Sequence, residues 1–517
     1  MARKSCRIRL CTGVVVMMLL LSISLLNTGC SKEDVQALQS GSDTTTVAID
    51  SAYTSGTAEG STETGYDEDD LVENSTFSNV VTIAFGSTVT ISNPLETNGV
   101  TITQDGADVV IASTSKEVAY VLSGTAANGS VKIYSDNKFM LTLNGVSITN
   151  TDGPAINIQS SKRAFVVLAD NSVNTLTDGS SYATSATGED RKGTFFSEGQ
   201  LIFSGTGSLN ITGNYKHAIC SDDYVRVRSG NITITGAATD GIHTNDAFIA
   251  DGGTLKITAG SDGIECEEGY VIINDGNFEL NTGDDGIAAS YEESDETITP
   301  YVTINGGTIT VNSSAGEGIE SKSVLTINNG SVATITADDG LNAGISIVIN
   351  GGNVYSYSTG NDAMDSNGTF TITGGKVIAI GSRSPEAGID CDARTLKITG
   401  GIVVGIGGAT SGPSASVSTV PSVIMGSGTA GQLIHIESAD GTEAMTFMIP
   451  VSYSTMLFAS SKLKTNTTYN MYTGGSVASG TDFHGFYTSG SYSKGTSSAN
   501  FTTSSMVTQI GGSISRG

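Results

Sequence analysis

The side chains in this sequence best equipped for chemistry are carboxylates, and they return at a regular interval. An acid, then Gly or Ala, then an aliphatic residue occurs as Asp240-Gly241-Ile242, Asp262-Gly263-Ile264, Asp285-Gly286-Ile287, Glu317-Gly318-Ile319, Asp339-Gly340-Leu341 and Asp362-Ala363-Met364, and again around Glu386 to Ile389. Most of these phrases lie about 22 to 25 residues apart, the spacing of one solenoid coil. Directly after the aliphatic positions stand His243, Glu265, Ala288, Glu320, Asn342, Asp365 and Asp390, while Asp284 and Asp338 precede two of the turn acids. Stacked coils would bring such groups within ~4.8 Å of one another. Two unit charges at that distance repel by about 1 kcal/mol in water and several-fold more where water is partly excluded. Hard oxygen donors from adjacent coils suit Ca2+, which takes about 6 to 8 of them. The candidate ligands are Asp240, Asp262, Glu265, Asp284, Asp285, Glu317, Glu320, Asp338, Asp339, Asp362, Asp365 and Asp390. Ala288 and Asn342 interrupt the column, so not every coil should hold an ion. The competing use is structural: Asp-Gly is turn chemistry, and an Asp side chain can cap a nearby amide with no ion.

Other chemistries have less support. No His or Cys cluster is evident beside the acids, which argues against a transition metal. The four histidines, His217, His243, His435 and His484, are scattered, and no Ser/His/Asp set stands out. Gly-rich segments open strands rather than helices, which removes phosphate-binding loops. A polysaccharide lyase acting on pectate would need a base for the proton α to a uronate carboxyl, with Ca2+ neutralising that carboxylate. Lys322, near Glu317 and Glu320, is the candidate base; its alternative role is a salt-bridged surface lysine. A third reading is a surface adhesin or structural protein, which the absence of Trp slightly favours, since sugar-stacking platforms often use that ring.

The elements that must position the acids are short strands. Val302-Thr303-Ile304-Asn305-Gly306-Gly307-Thr308-Ile309-Thr310-Val311 and Leu325-Thr326-Ile327-Asn328-Asn329-Gly330 alternate with period two and turn on glycines that supply positive φ. Three short strands per ~23 residues, with no room for a helix, predict a right-handed parallel β-helix. A propeller blade would need roughly 40 residues, and the scaffold of a leucine-rich repeat is missing. Thr244, Cys266, Ala289, Ser321, Ala343, Ser366 and Cys391 form a small-residue column expected to point inward. Cys266 and Cys391 then sit about 24 Å apart, too far for a disulfide. With Cys220 they leave an odd number of cysteines in the folded part, against a disulfide framework. The stretch Ser290 to Thr299, with Glu292, Glu293, Asp295 and Glu296, should be a loop leaving the stack.

Composition frames this reading. The chain has 517 residues, 65 of them Gly, with only 15% charged and no Trp, which excludes a helical bundle or coiled coil. The net charge of −27 disfavours nucleic acid as a partner, and divalent cations are its natural counter-charge. Residues 1–29 combine Arg3, Lys4, Arg7 and Arg9 with an apolar run from Val14 to Leu26, the layout of a secretory signal peptide. Residues 30–70 are rich in Ser, Thr, Gly and acids and predict a flexible tether. Residues 71–411 carry the β-helix. Residues 412–517, with Tyr453, Phe458, Tyr469, Tyr472, Phe483, Phe486 and Tyr487, predict a β-rich C-terminal cap over the open end. The protein is expected to act as a monomer.

Two resemblances add to this. Asn27-Thr28-Gly29-Cys30 resembles a bacterial lipobox, which implies cleavage before Cys30 and diacylation of its thiol. Ser31-Lys32-Glu33-Asp34 is similar to the signal that sends lipoproteins of Bacteroidetes-type bacteria to the outer face of the outer membrane, so the implied location is the cell surface, with membrane contact only through the lipid. The Asp-Gly-Ile coils, Val146-Ser147-Ile148-Thr149-Asn150 with Gly153-Pro154-Ala155-Ile156, and Lys216-His217-Ala218-Ile219 resemble bacterial carbohydrate-binding proteins built as calcium-loaded parallel β-helices, similar in fold to calcium-dependent pectate lyases. Over about residues 72 to 475, that resemblance implies binding of cellulose-like and acidic pectic polysaccharides. It places calcium on Asp262, Glu265, Asp284, Asp285, Glu317, Glu320, Asp338 and Asp339. An acidic polymer would have to bind through cations, because protein and polymer are both negative.

Overall fold

Each repeat folds into one coil of three strands. The computed structural model describes residues 44–50, 53, 56–185, 188–291 and 299–515, all within the unit Thr44–Gly517. The expected signal peptide, Cys30, and the loop acids Glu292, Glu293, Asp295 and Glu296 lie outside the described residues.

The first face is a 12-stranded sheet that includes Ile242–Thr244, Ile264–Cys266, Ile287–Ala289, Ile319–Ser321, Leu341–Ala343 and Met364–Ser366, paired in parallel. A second ladder includes Tyr270–Ile273, Tyr301–Ile304, Val324–Ile327 and Ser346–Ile349. A third includes Asn277–Thr282, Thr308–Ser313, Ser331–Thr336 and Asn353–Ser358. The fold is therefore a parallel β-helix. The two ladders fuse at the long strand Phe139–Thr149, which pairs with members of both. Thr244, Cys266, Ala289, Ser321, Ala343 and Ser366 are fully buried, as the small inward column requires, and one apolar core runs from Val81 to Ala459. Cys220, Cys266 and Cys391 are free and buried.

Glycine serves two separate needs. At the turn between the second and third faces, Gly307 and Gly330 adopt φ of 84° and 101°, where a β-carbon is strained. In the acid-Gly phrase the need is space: a β-carbon on Gly318 would lie 2.3 Å from the Gly340 carbonyl oxygen of the next coil.

Both ends are closed by antiparallel pairing. Val100–Asp105 folds back on Asp108–Ser113 at the start, and Thr455–Ser460 covers Ile402–Gly407 at the last coil. The C-terminal cap adds a five-stranded sheet in the order Thr44–Ala48, Phe486–Thr502, Glu443–Met448, Leu433–Ser438, Thr468–Phe483.

The flexible tether expected over residues 30–70 is corrected for its described part. Thr44–Ala48 is a strand of the cap sheet, and residues from Gly56 onward run along the second face as a strap. Asn274, Asn305, Asn328 and Asn350 stack there. Each of the last three donates to the Asn before it at 2.8 Å, and all four donate to strap carbonyls, of Thr64, Glu63, Ser61 and Glu59 respectively. Asp70 then sinks fully into the wall, ion-paired to Arg163 at 2.7 Å and Arg226 at 3.2 Å and hydrogen-bonded by Tyr224. A segment poor in apolar residues is ordered because its backbone oxygens and a few of its carboxylates, rather than apolar side chains, meet the solenoid.

Candidate functional site

The acid-Gly phrase places each carboxylate at the corner where the third face turns into the first. The bend exposes the following amide to the coil stacked on it, and the carboxylate bridges that step. The Asp262 amide donates to Asp240 Oδ1 at 3.3 Å, Asp285 to Asp262 Oδ1 at 2.8 Å, Glu317 to Asp285 Oδ1 at 2.8 Å and Asp362 to Asp339 Oδ1 at 3.0 Å; Ala387 donates to Asp362 Oδ1. The capping use of Asp and the stacking of acids are thus one arrangement. Asp240, Asp262, Asp285, Asp339 and Asp362 each spend Oδ1 on an amide, and Asp339 Oδ2 accepts from Asn342.

The column is in register: His243 pairs with Glu265, Glu265 with Ala288, Ala288 with Glu320, Glu320 with Asn342 and Asn342 with Asp365. Three oxygen-only groups come together with ligand atoms within 4.8 Å of one another: Asp240, Asp262 and Glu265; Asp262, Asp284 and Asp285; and Asp362, Asp365 and Asp390. The remaining candidates are not in these groups. Glu320 pairs with Lys322, Asp338 accepts from Asn361 at 2.6 Å, Asp339 accepts from Asn342 at 3.0 Å, and Glu317 stands against Asp285.

Burial and mutual repulsion make the column reluctant to ionise. Asp262 is 9% exposed, and burial with the charges of Asp240 and Glu265 pushes its pKa up to about 8. Burial and the charges of Asp365 and Asp362 raise Asp339 to about 8. Burial, then Glu317, lifts Asp285 to about 10, and burial with Asp390 nearby takes Asp365 to about 6. Among the described residues, none of Asp262, Asp285 or Asp339 has an ion pair to Lys or Arg. A divalent cation fits the clustered hard oxygens from Asp262 onward, where no Lys or Arg is paired with Asp262 or Asp285 among the described residues.

The histidines correct the expectation that none stands beside the acids. His217 stacks on His243 with ring centroids 4.2 Å apart, and both Nδ1 atoms face Asp240 Oδ2, at 2.9 and 3.2 Å. His243 also meets Glu265 at 3.2 Å and Glu267 at 3.1 Å. Burial opposes the charged ring, but Asp240 and Glu265 hold the His243 pKa up at about 10. Burial likewise opposes ionisation of Asp240, yet the two imidazoles hold it well below the usual carboxylate range. A protonated imidazole therefore balances the head of the column, and the uncompensated acids begin at Asp262. The repeat alignment already sets His243 at the Glu265 position; what it lacks is His217, which lies outside the acid phrase.

Lys322 is held by Glu320. Burial works against its charge, but Glu320 raises its pKa above the ordinary lysine value. A general base must first be deprotonated.

A family model described as carbohydrate-binding domain-containing protein matches residues 96–387. A curated protein of that description from Acetivibrio thermocellus is 29% identical over 121 residues, which are 23% of this chain and 42% of the relative. The matched part thus spans less than half of that relative's length. Among solved structures, one described as the polysaccharide lyase-like protein from C. thermocellum, gadolinium derivative, aligns over 56% of this chain and 96% of its own, with 22% identity and a TM-score of 0.39.

Proposed function

Because this chain belongs to the carbohydrate-binding domain-containing family, whose model spans more than half of it, we propose that it binds a polysaccharide through a Ca2+-loaded β-helix without cleaving it. The observation that carries the reading is the set of partly buried oxygen trios along one face, Asp262/Asp284/Asp285 and Asp362/Asp365/Asp390, with Asp240/Asp262/Glu265 sharing its first and last members with His243. Ca2+ at such trios would supply positive charge to a face that otherwise repels anionic sugars, and glycan hydroxyls or carboxylates would complete its oxygen shell. Asp262, Asp285 and Asp362 are held in place through their amide caps, so these carboxylates reorganise little when a cation arrives. The pairing of Lys322 with Glu320 supports binding over β-elimination, since the candidate base is kept charged. We also place the protein at the cell surface, as an outer-membrane lipoprotein acylated at Cys30.

The test is a pull-down on insoluble cellulose-like and soluble acidic glycans, with Ca2+ or excess chelator, and absorbance read in parallel for an unsaturated uronate product. The expected result is chelator-sensitive retention on at least one glycan with no new absorbance. Retention on none refutes glycan binding and leaves the adhesin reading. A rising absorbance with pectate and Ca2+ refutes the absence of catalysis.

A further inference from the structure

Beyond the acid column, toward the N-terminal coils, two tyrosines form a stack that no part of the calcium reading uses. Tyr182 lies in the excursion between Val173–Thr177 and Gly193–Ser197; Tyr215 lies at the next coil's corner, before His217–Ser221. Their ring centroids are 4.1 Å apart at 23°. The Arg191 guanidinium sits 5.7 Å from the Tyr182 ring centroid, and Tyr215 is 38% exposed.

The stack is held before any ligand arrives. The Tyr182 hydroxyl donates to Asp178 Oδ2 at 2.7 Å, and the Asn214 amide donates to Asp178 Oδ1 at 2.5 Å. One buried carboxylate thus fixes both the ring of Tyr182 and the turn that presents Tyr215. Two aromatic rings stacked at a surface, with the outer one open, are spare binding capacity, since a Tyr kept only for packing would be covered.

Beside the stack is a polar cavity of about 200 Å³ lined by Asp108, Lys132, Asn150, Asp152, Asn157 and Arg191. Lys132 is paired with Glu189 at 2.7 Å. The Arg191 guanidinium is engaged by the Ala183 carbonyl and the Tyr182 ring, and by no carboxylate among the described residues. The cavity therefore presents hydrogen-bond acceptors at Asp108 and Asp152 and a donor fork at Arg191, an array that matches the mixed donors and acceptors of sugar hydroxyls.

The geometry points to Tyr215 as the stacking platform for a pyranose ring of a neutral, all-equatorial glycan whose neighbouring sugar reaches the Asp108–Asp152–Arg191 cavity. This rests on the carbohydrate-binding reading and deepens it by naming the contact site and the sugar class. An all-equatorial pyranose exposes C–H bonds on both ring faces, which is what an aromatic face attracts. Asp108 and Asp152 are both exposed and repel a uronate carboxylate, so neutral sugars are favoured here even if calcium serves anionic ones elsewhere. The site needs more than one sugar, because Tyr215 does not line the cavity and meets it only by way of Tyr182 and Arg191.

The experiment is titration calorimetry of the full chain, in chelator, with a β-1,4-linked glucose tetramer, glucose itself and a galacturonate tetramer. The glucose tetramer should bind more tightly than either of the others. Tyr215→Ala should weaken it about tenfold, whereas Tyr215→Phe, which keeps the ring, should stay within about twofold. Tyr66→Ala, at a 69% exposed ring on the strap, should have no effect. Unchanged affinity in Tyr215→Ala, or equal loss in Tyr215→Phe and Tyr66→Ala, overturns the platform while glycan binding stands. A wild-type protein that retains no glycan in this assay or in the pull-down overturns both.

Discussion

Withdrawing divalent cations should make the stability of this protein fall as pH rises, over a range where most proteins are indifferent. Asp262 and Asp339 have folded pKa values of about 8 against an ordinary 3.8, so in the absence of a cation the folded chain binds protons that the unfolded chain has already released. The stabilisation associated with those protons is complete below about pH 4 and is lost as pH climbs through 8. His243, held up at about 10, contributes in the same direction, with its share complete below about 6.5. His435 is buried and held down at about 4, so its opposite contribution is finished by pH 7. The informative window therefore runs from about pH 7 to about pH 9. Each titrating carboxylate changes stability by at most about 1.4 kcal/mol per pH unit, and the two share their neighbours' repulsion, so a loss of about 2–4 kcal/mol is expected. For a chain of this length that is a drop in Tm of a few degrees. Ca2+ at a hundredfold excess over its Kd adds about 2.7 kcal/mol per site and should flatten the Asp262 part of the pH profile, because it replaces that proton. The assay is differential scanning calorimetry in chelator and in Ca2+ at each pH. Asp262→Asn keeps an oxygen acceptor for the Asp285 amide but removes one charge; it should melt higher than wild type in chelator at pH 9 and gain less from Ca2+. A Tm in chelator that holds level or rises across this window, with no increment from Ca2+, refutes the cation reasoning.

Three further outcomes follow from packing. Asp70→Ala removes the carboxylate shared by Arg163 and Arg226, which keep Asp67 and Asp251 respectively, and should cost about 1–3 kcal/mol, read by urea denaturation. Asn328→Ala removes donors to Asn305 and Ser61 and the acceptor for Asn350; a loss of about 3 kcal/mol is expected, with faster amide exchange in residues 59–64 than in the coils beneath. Gly318→Ala forces a β-carbon to within 2.3 Å of the Gly340 carbonyl oxygen and 2.7 Å of Thr334, and should lower stability by about 1–3 kcal/mol while leaving the circular dichroism spectrum that of a β protein.

The repeat was readable because a coil imposes the same demands every time it passes. Thr244, Cys266, Ala289, Ser321, Ala343 and Ser366 differ chemically but share one size, and a narrow interior selects for size. The acids were readable for a related reason: the corner needs a short acceptor for the next amide, which favours Asp. What spacing could not separate was which acids share an oxygen cluster, since Asp338 and Asp339 carry the same phrase as Asp284 and Asp285 but find Asn361 and Asn342 instead. The Asn ladder stands in the sequence as Asn305 and Asn328 before their glycines, where the local pattern reads only as turn chemistry. Its second role depends on a strap whose side chains have no pattern, because the contacts run through carbonyl oxygens. Tyr182 and Tyr215 were hidden for a different reason: they stand in an excursion and a corner, where the repeat has no rule to break.

The pairing of Thr44–Ala48 with Phe486–Thr502 has a temporal side. Coils can lie down one after another as the polypeptide emerges, each needing only its predecessor. The first described strand, however, must wait for a hairpin that follows the last coil, so the clasp snaps shut only once every coil has been delivered. A product cut short before that hairpin would possess every rung of the ladder and still lack its fastening, leaving the asparagine-bound ribbon free to peel from the cap end.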